Sequence, residues 1–215
     1  MAAKTSRERY RAQVRAEIKR YAWEQLGTTG VSALSLNAIA KHVGMSGPAL
    51  YRYFPSRDDL ITDLVRDAYR SLADVVRVAA GSGGVAEVAC AIREWALADP
   101  QRYLFVYGTP IPGYRAPGDT TEISNEIMAE LLRVHAAALG DGRVTAFDGH
   151  VGGHREWAGG LPVSSAVLRR ALTFWTRIHG VLSLELAGHF AGMGFDPAVL
   201  FAAELDVLST EDGSR

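Results

Sequence analysis

The run SLNAIAKHVGMSGPALYRYFPSR, residues 35–57, restricts the fold more than any other stretch of the chain. Ser35 has N-cap chemistry, and Leu36, Ile39, Ala40 and Val43 follow it on one helical face. Gly44 stands where a helix ends in a left-handed residue, a conformation that glycine adopts without a Cβ clash. Ser46 is placed to cap a second helix, with Pro48 in its first turn, where a missing N–H costs little. Leu50 and Phe54 point back to the first helix, which leaves Gly47, Ala49, Tyr51, Arg52 and Tyr53 on other faces. Pro55 stops this helix, Ser56 caps the next, and Asp59 supplies the capping-box acid three residues on. Two short helices about a glycine turn, over 35–54, match the helix-turn-helix plan, whose second helix enters the major groove of DNA. The alternative is a helical hairpin that serves packing alone.

Charge is distributed as the first reading requires. The net charge of −1 conceals a basic head on an acidic body. Residues 1–57 hold ten Lys and Arg against three Asp and Glu, whereas residues 58–215 hold 13 against 21. A module that neutralises phosphates carries this asymmetry, although a solvated charged helix over Arg7–Arg20 accounts for part of it.

Along the chain, residues 1–6 read as a mobile arm, from which Lys4, with Arg7 and Arg9 beside it, can reach DNA. A helix over Arg7–Leu26 follows, with the stripe Tyr10, Val14, Ile18, Ala22 and Leu26, ended by Gly27 and Gly30. It completes a three-helix head, and Val31 and Leu34 seal its underside. A long helix from Arg57 to about Ala80 carries Leu60, Leu64, Ala68 and Leu72 inward. Helices over 86–98, from Pro100, and over 121–139 come next, the last two separated by a proline-rich loop, GTPIPGYRAPGD. The glycine-rich residues 140–162 read as a mobile connection with a turn or two of helix at most. Residues 163–190 form a long helix too apolar for a single stripe, and residues 197–208 form the last, with a frayed end at 209–215. The fold class is all α, with about nine helices. The division is a DNA-binding domain over 1–56 and a second domain over 57–215. The apolar pair within residues 163–208 is the candidate surface for a homodimer with two-fold symmetry.

The same head residues carry a resemblance. IA at 39–40, VG at 43–44, ALY at 49–51, YF at 53–54 and RDDL at 57–60 are similar to the DNA-binding domain of the TetR/AcrR family of bacterial regulators, over roughly residues 8 to 65. The resemblance implies that Ser46, Gly47 and Pro48 lie nearest the bases. It also implies that Ser35, Tyr51, Tyr53 and Arg57 contact phosphates, while Arg52, at a variable position, reads guanine. Tyr51 as a core residue is the competing assignment, and solvent exposure is the simplest one for Lys41 and His42.

In the second domain Trp95, Tyr103, Phe105, Tyr107, Tyr114, Phe174, Trp175 and His179 are the candidates for lining an effector pocket, with Arg93, Glu94 and Glu185 as further polar groups. Aromatic residues at helical spacing equally make plain core. Residues 93–117 and 175–189 resemble the C-terminal domain of a TetR subgroup with a Trp…His-Gly signature, here Trp175, His179 and Gly180. That resemblance implies effector binding and dimerisation. The partners expected are therefore double-stranded DNA with a palindromic operator, a small apolar or amphipathic effector, and a second copy of the chain. A DNA-binding regulator with no effector is the alternative.

Other chemistry finds little support. No GxSxG, Walker loop or GxGxxG occurs, so neither an enzyme nor a cofactor is expected. His150 and His154 sit four apart among glycines without a second pair of ligands, and no metal site is expected. The single Cys90 excludes an internal disulfide and reads as buried and inert. No run of about 18–20 uncharged apolar residues offers a membrane span, and a cytoplasmic location is expected.

Overall fold

Capping chemistry decides where several of the helices begin. The computed structural model describes residues 5–138 and 144–210, with the backbone alone for residues 209 and 210. Expectations that fall on Lys4, on residues 139–143 and on residues 211–215 lie outside these. The described residues are all α, with ten α-helices, two short 3-10 turns and no strand. The chain divides into two compact units.

The first unit takes the chain as far as Asp67 and adds Thr109–Pro117. Helix α1 (Ser6–Thr29) opens on a capping box, in which the Thr5 hydroxyl accepts from the Glu8 amide and the Glu8 carboxylate accepts from the Thr5 amide. The helix thus begins inside the expected arm and runs through Gly27 to end at Gly30, whose φ is 75°. The stripe holds only from Val14 onward: Ile18 and Ala22 are buried, but Tyr10 is 65% exposed. The spacing chose the right face, but its first position, Tyr10, is left uncovered.

After a 3-10 turn at Val31–Ala33 come α2 (Leu36–His42) and α3 (Gly47–Tyr51). The Ser35 hydroxyl caps α2 by accepting from the Ala38 amide at 3.3 Å. Gly44 takes φ 68°, and the chain closes the turn with Met45 N–H donating to the Ala40 carbonyl at 2.9 Å. Leu36, Ile39, Leu50 and Phe54 are buried together with Ile18 and Ala22. Each large side chain so placed contributes about 1.5–3 kcal/mol. Helix α4 (Arg57–Ser82) starts on the expected Ser56–Asp59 pair, with the Asp59 amide 3.1 Å from the Ser56 hydroxyl. Arg15 ties α1 to this core. It donates to the Tyr53 carbonyl at 2.9 Å, pairs with Asp63 at 2.8 Å, and lies 4.3 Å from the Phe54 ring.

The second unit holds the rest of α4 and six further helices: α5 (Val85–Ala98), α6 (Pro100–Tyr107), α7 (Gly118–Ala137), α8 (Ala146–Gly153), α9 (Ser165–Leu186) and α10 (Pro197–Thr210). Its main core joins Leu72 and Val76 of α4, Val88 and Ile92 of α5, Ile127 and Leu131 of α7, and Phe174, Ile178 and Leu182 of α9. Arg93 of α5 and Glu185 of α9 form a bidentate ion pair, each side chain 14% exposed, and the guanidinium lies 5.0 Å from the Phe201 ring of α10.

Two expectations for this unit fail. Cys90 is exposed rather than buried, because α5 is apolar nearly all round and its core face runs through Val88, Ala89, Ile92 and Trp95. Within the described residues 144–162, the glycine-rich segment holds about two turns of helix, as expected, but packs on the body rather than forming a loose connection. Thr145 and Asp148 form a capping box that starts α8, and Asp148 pairs with Arg169 of α9 at 2.9 Å. Val151 and Ala158 then join Leu132, Val167, Leu168 and Ala171 in a second small core. Burial alone raises the Asp148 pKa, but hydrogen bonds from the Thr145 amide and hydroxyl, with the Arg169 guanidinium, outweigh it and hold the carboxylate below its usual range.

Candidate nucleic-acid interface and aromatic body site

In the head, α2 and α3 set the sequence-predicted residues about one turn. Leu50 and Phe54 anchor α3 from below, so Ser46, Pro48, Tyr51 and Arg52 are exposed, with Gly47 and Tyr53 half-buried beside them. Ser46 does not cap α3 through its side chain as expected, and its hydroxyl makes no cap hydrogen bond. Tyr51 is 43% exposed and lies outside the core. A Cβ added to Gly47 meets nothing nearer than the Asn37 Oδ1 at 3.7 Å, an ordinary contact, so nothing within the protein requires a glycine there. Arg57 is partly spent within the head, since its guanidinium donates to the Val31 carbonyl. His42 is exposed, yet its ring packs at a tilt on Tyr21, 4.0 Å between centroids. Lys41, Arg52 and Arg11, the last 5.8 Å from the Tyr53 ring, add positive charge near this surface, and residues 41–56 contain no acidic residue.

The body brings together Trp95, Tyr103, Tyr107, Phe174, Trp175 and His179. Tyr103 is wholly buried at the centre, and its hydroxyl lies 3.0 Å from His179 Nδ1, 3.2 Å from the His179 carbonyl and 2.9 Å from the Ser183 Oγ. Trp175 and Tyr107 pack on the His179 ring at 4.0 and 4.3 Å between centroids. The Trp95 indole N–H donates to the Ser71 hydroxyl at 3.0 Å. Burial depresses the His179 pKa from 6.5 to about 4 and raises that of Tyr107 well above 10, so both rings are neutral at neutral pH. Tyr69, Ser71 and Ser183, all outside the sequence-predicted set, belong to the cluster: Tyr69 stands edge-on to Tyr107 at 6.0 Å. Ser183 follows His179 by one helical turn, a spacing that points to it; nothing in the sequence points to Tyr69. Tyr114 departs from expectation. It lies in the first unit, where its hydroxyl bonds the Thr62 Oγ1 at 3.1 Å. Phe105 is half-buried on α6. A separate open hollow of about 570 Å³ between the ends of α4 and α7 is lined by Arg77, Gly81, Val134 and their neighbours, and none of the predicted effector residues borders it.

A family model described as "Bacterial regulatory proteins, tetR family" matches residues 18–64, and one described as "Tetracyclin repressor-like, C-terminal domain" matches residues 85–208, more than half the chain. The chain belongs to the TetR family. Among curated relatives, the HTH-type transcriptional regulators Rv1816 of Mycobacterium tuberculosis and Mb1846 of Mycobacterium bovis are each 34% identical to it over 216 residues, which cover 92% of both chains. A crystal structure described as that of a regulatory protein, SCO4313, is 62% identical, covers 95% of this chain and 98% of its own, and superposes with a TM-score of 0.89. A TetR/AcrR-family regulator from Thermobifida fusca shares the fold alone, at 16% identity and a TM-score of 0.58 over 94% of this chain and 99% of its own. This TetR-family chain is thus a DNA-binding transcriptional regulator, and its relatives are regulators, not enzymes. Among the described residues no helix is long and apolar enough to cross a membrane, and no group of three or more His, Cys, Asp or Glu is placed to hold a metal ion.

Proposed function

We propose that the protein is a homodimeric repressor that a small, largely apolar effector releases from a palindromic operator. The observation that carries the effector half is the aromatic cluster about His179, where two buried polar atoms, Tyr107 Oη and His179 Nε2, have no hydrogen-bond partner among the described residues. Ligand sites in helical bundles have this composition, an apolar wall with few polar groups. In the head, Ser46, Gly47 and Pro48 approach the bases, Arg52 reads guanine, and Ser35, Tyr51, Tyr53 and Arg57 hold phosphates. Dimerisation runs through residues 163–208. In support, Thr176, Gly180 and Leu184 leave an exposed, uncharged stripe along α9, and Val199 and Val207 are exposed on α10.

Release is a shift of population. Helix α4 is unbroken for 26 residues and gives its first turns to the head and the rest to the body. A ligand that favours one packing of its body half therefore also biases the element on which the head is built. The deciding experiment selects bound sites from random DNA and then titrates a ligand library against the selected complex. Expected are a palindrome with half-sites about 34–36 Å apart, or a multiple of that, and its release by apolar compounds. A non-repeating site rejects the dimer; a palindrome that no compound releases rejects the effector. One observation favours a regulator with no effector: Tyr103 and Phe174 are wholly buried in close contact with their neighbours. On that reading no ligand raises the melting temperature.

A further inference from the structure

The aromatic cluster contains a polar gap. Tyr107 Oη and His179 Nε2 are both shut off from solvent, although each residue as a whole is only half-buried, and neither hydrogen-bonds a described residue. Their rings pack at 4.3 Å, with Trp175 against both, at 4.0 Å from His179 and 5.9 Å from Tyr107. One buried polar group without a partner costs about 1–3 kcal/mol. Two such atoms on rings in contact are a standing cost that no contact among the described residues offsets.

The His179 ring is not free to turn and relieve this. Its Nδ1 is held by the Tyr103 hydroxyl, which also bonds the His179 carbonyl and Ser183. The single Tyr103 proton goes to one acceptor at a time. Donated to the carbonyl, it makes Nδ1 the protonated nitrogen and leaves Nε2 a bare acceptor; donated to Nδ1, it makes Nε2 a donor. In either tautomer the Tyr107 hydroxyl supplies the complementary role. The pair therefore fits a group that both donates and accepts. It does not fit a charge: the arginines of α5 and α6, Arg93 and Arg102, are already committed to Glu185 and Asp99. Burial keeps both His179 and Tyr107 neutral, which agrees with this geometry.

We propose that Tyr107 Oη and His179 Nε2 together seat the uncharged donor–acceptor head of an amphiphile, an alcohol, a phenol or a primary amide, whose apolar body lies against Tyr69 and Trp175. The inference rests on the effector reading above and gives that effector its chemical class. A site built to hydrogen-bond a hydroxyl rejects an analogue that lacks one, because its own polar groups stay unpaired.

The test uses the intact protein and two matched sets of probes on octyl and naphthylmethyl skeletons: alcohol, primary amide, methyl ether and trimethylammonium. Calorimetric titration is expected to show, on at least one skeleton, alcohol and amide binding at least tenfold tighter than ether and ammonium. Tyr107→Phe is expected to lose that preference while its melting temperature stays level or rises, since it deletes an unpartnered hydroxyl. His179→Leu, which removes the ring's hydrogen-bonding nitrogens, provides the same readout should Tyr107→Phe fail to fold. Equal binding of alcohol and ether, or an unchanged preference in both variants, overturns the head-group assignment; the effector reading then survives if the bound compounds still release operator DNA. Binding by no member of either series also overturns the assignment, the pair then holding an ordered water only. An alcohol that binds with the expected preference yet leaves the operator complex intact supports the assignment and overturns the effector reading.

Discussion

Two glycines three residues apart separate folding from recognition. Gly44 occupies φ 68°, where a side chain costs roughly 1–2 kcal/mol, so Gly44→Ala is expected to lower the melting temperature by several degrees. Gly47 has ordinary space for a Cβ. Gly47→Ala is expected to melt within about 0.5 kcal/mol of wild type, yet to bind operator at least about tenfold more weakly, because on the proposed interface the added methyl group stands between the helix and the bases. Equal binding by the variant removes Gly47 from the interface. A third residue carries a pH signature. His179 titrates near 4 when folded and near 6.5 when unfolded, because burial opposes its charge. The unfolded chain then takes up that proton first. Stability from the neutral ring is complete above pH 6.5 and is lost as the pH falls toward 4. Urea unfolding at pH 7 and pH 5 should show wild type losing about 2 kcal/mol more than His179→Gln. Residues governed by local chemistry, such as Ser35, Gly44, Leu50 and Ser56, are legible in the sequence because a cap, a left-handed turn or a helical face is decided by near neighbours. Tyr10 is not, since periodicity names a face without saying whether anything lies against it.

At the scale of elements, polar links between helices matter as much as their apolar stripes. Arg93 and Glu185 join α5 to α9, and Phe201 of α10 covers the guanidinium. Removing one partner leaves a charge stranded, so Glu185→Ala is expected to cost about 3–5 kcal/mol in chemical denaturation. Replacing both by apolar residues of similar volume, as in Arg93→Met with Glu185→Leu, should recover most of that loss, and a double variant no more stable than the single one contradicts the argument. The sequence shows both residues but not their pairing, which spans 92 positions. Helix α8 teaches a related point. Its glycines suggest a slack connector, yet the box made by Thr145 and Asp148, with Arg169 arriving from α9, specifies a helix start. Composition averaged over 23 residues hides a signal held by three. The aromatic cluster was legible as a set for the opposite reason: Tyr103, Tyr107, Trp175 and His179 lie at helical spacing on two elements that pack together. Tyr114, carried by an irregular loop, has no periodicity to place it.

For the whole molecule, the proposed function requires two heads to act as one. A single head offers an α3 of five residues, with few groups to reach bases. Its electrostatic share of binding weakens steeply with salt. Tying a second head to the first converts the second contact into an intramolecular one and adds roughly two to four orders of magnitude in affinity without a new contact. If α9 and α10 make that tie, charge placed on their exposed apolar residues should break it while sparing the fold. Leu184 is 46% exposed and Val199 67%, so glutamate at both sites disturbs no core packing within the chain. The Leu184→Glu, Val199→Glu variant is expected to sediment as a monomer with an unchanged helical spectrum. It should bind a palindromic operator at least about a hundredfold more weakly than wild type, yet match it on an isolated half-site. Equal loss on both DNAs means that the heads themselves were damaged. A variant that remains dimeric moves the interface away from residues 163–208, and a wild-type monomer that still binds the palindrome tightly removes the need for one.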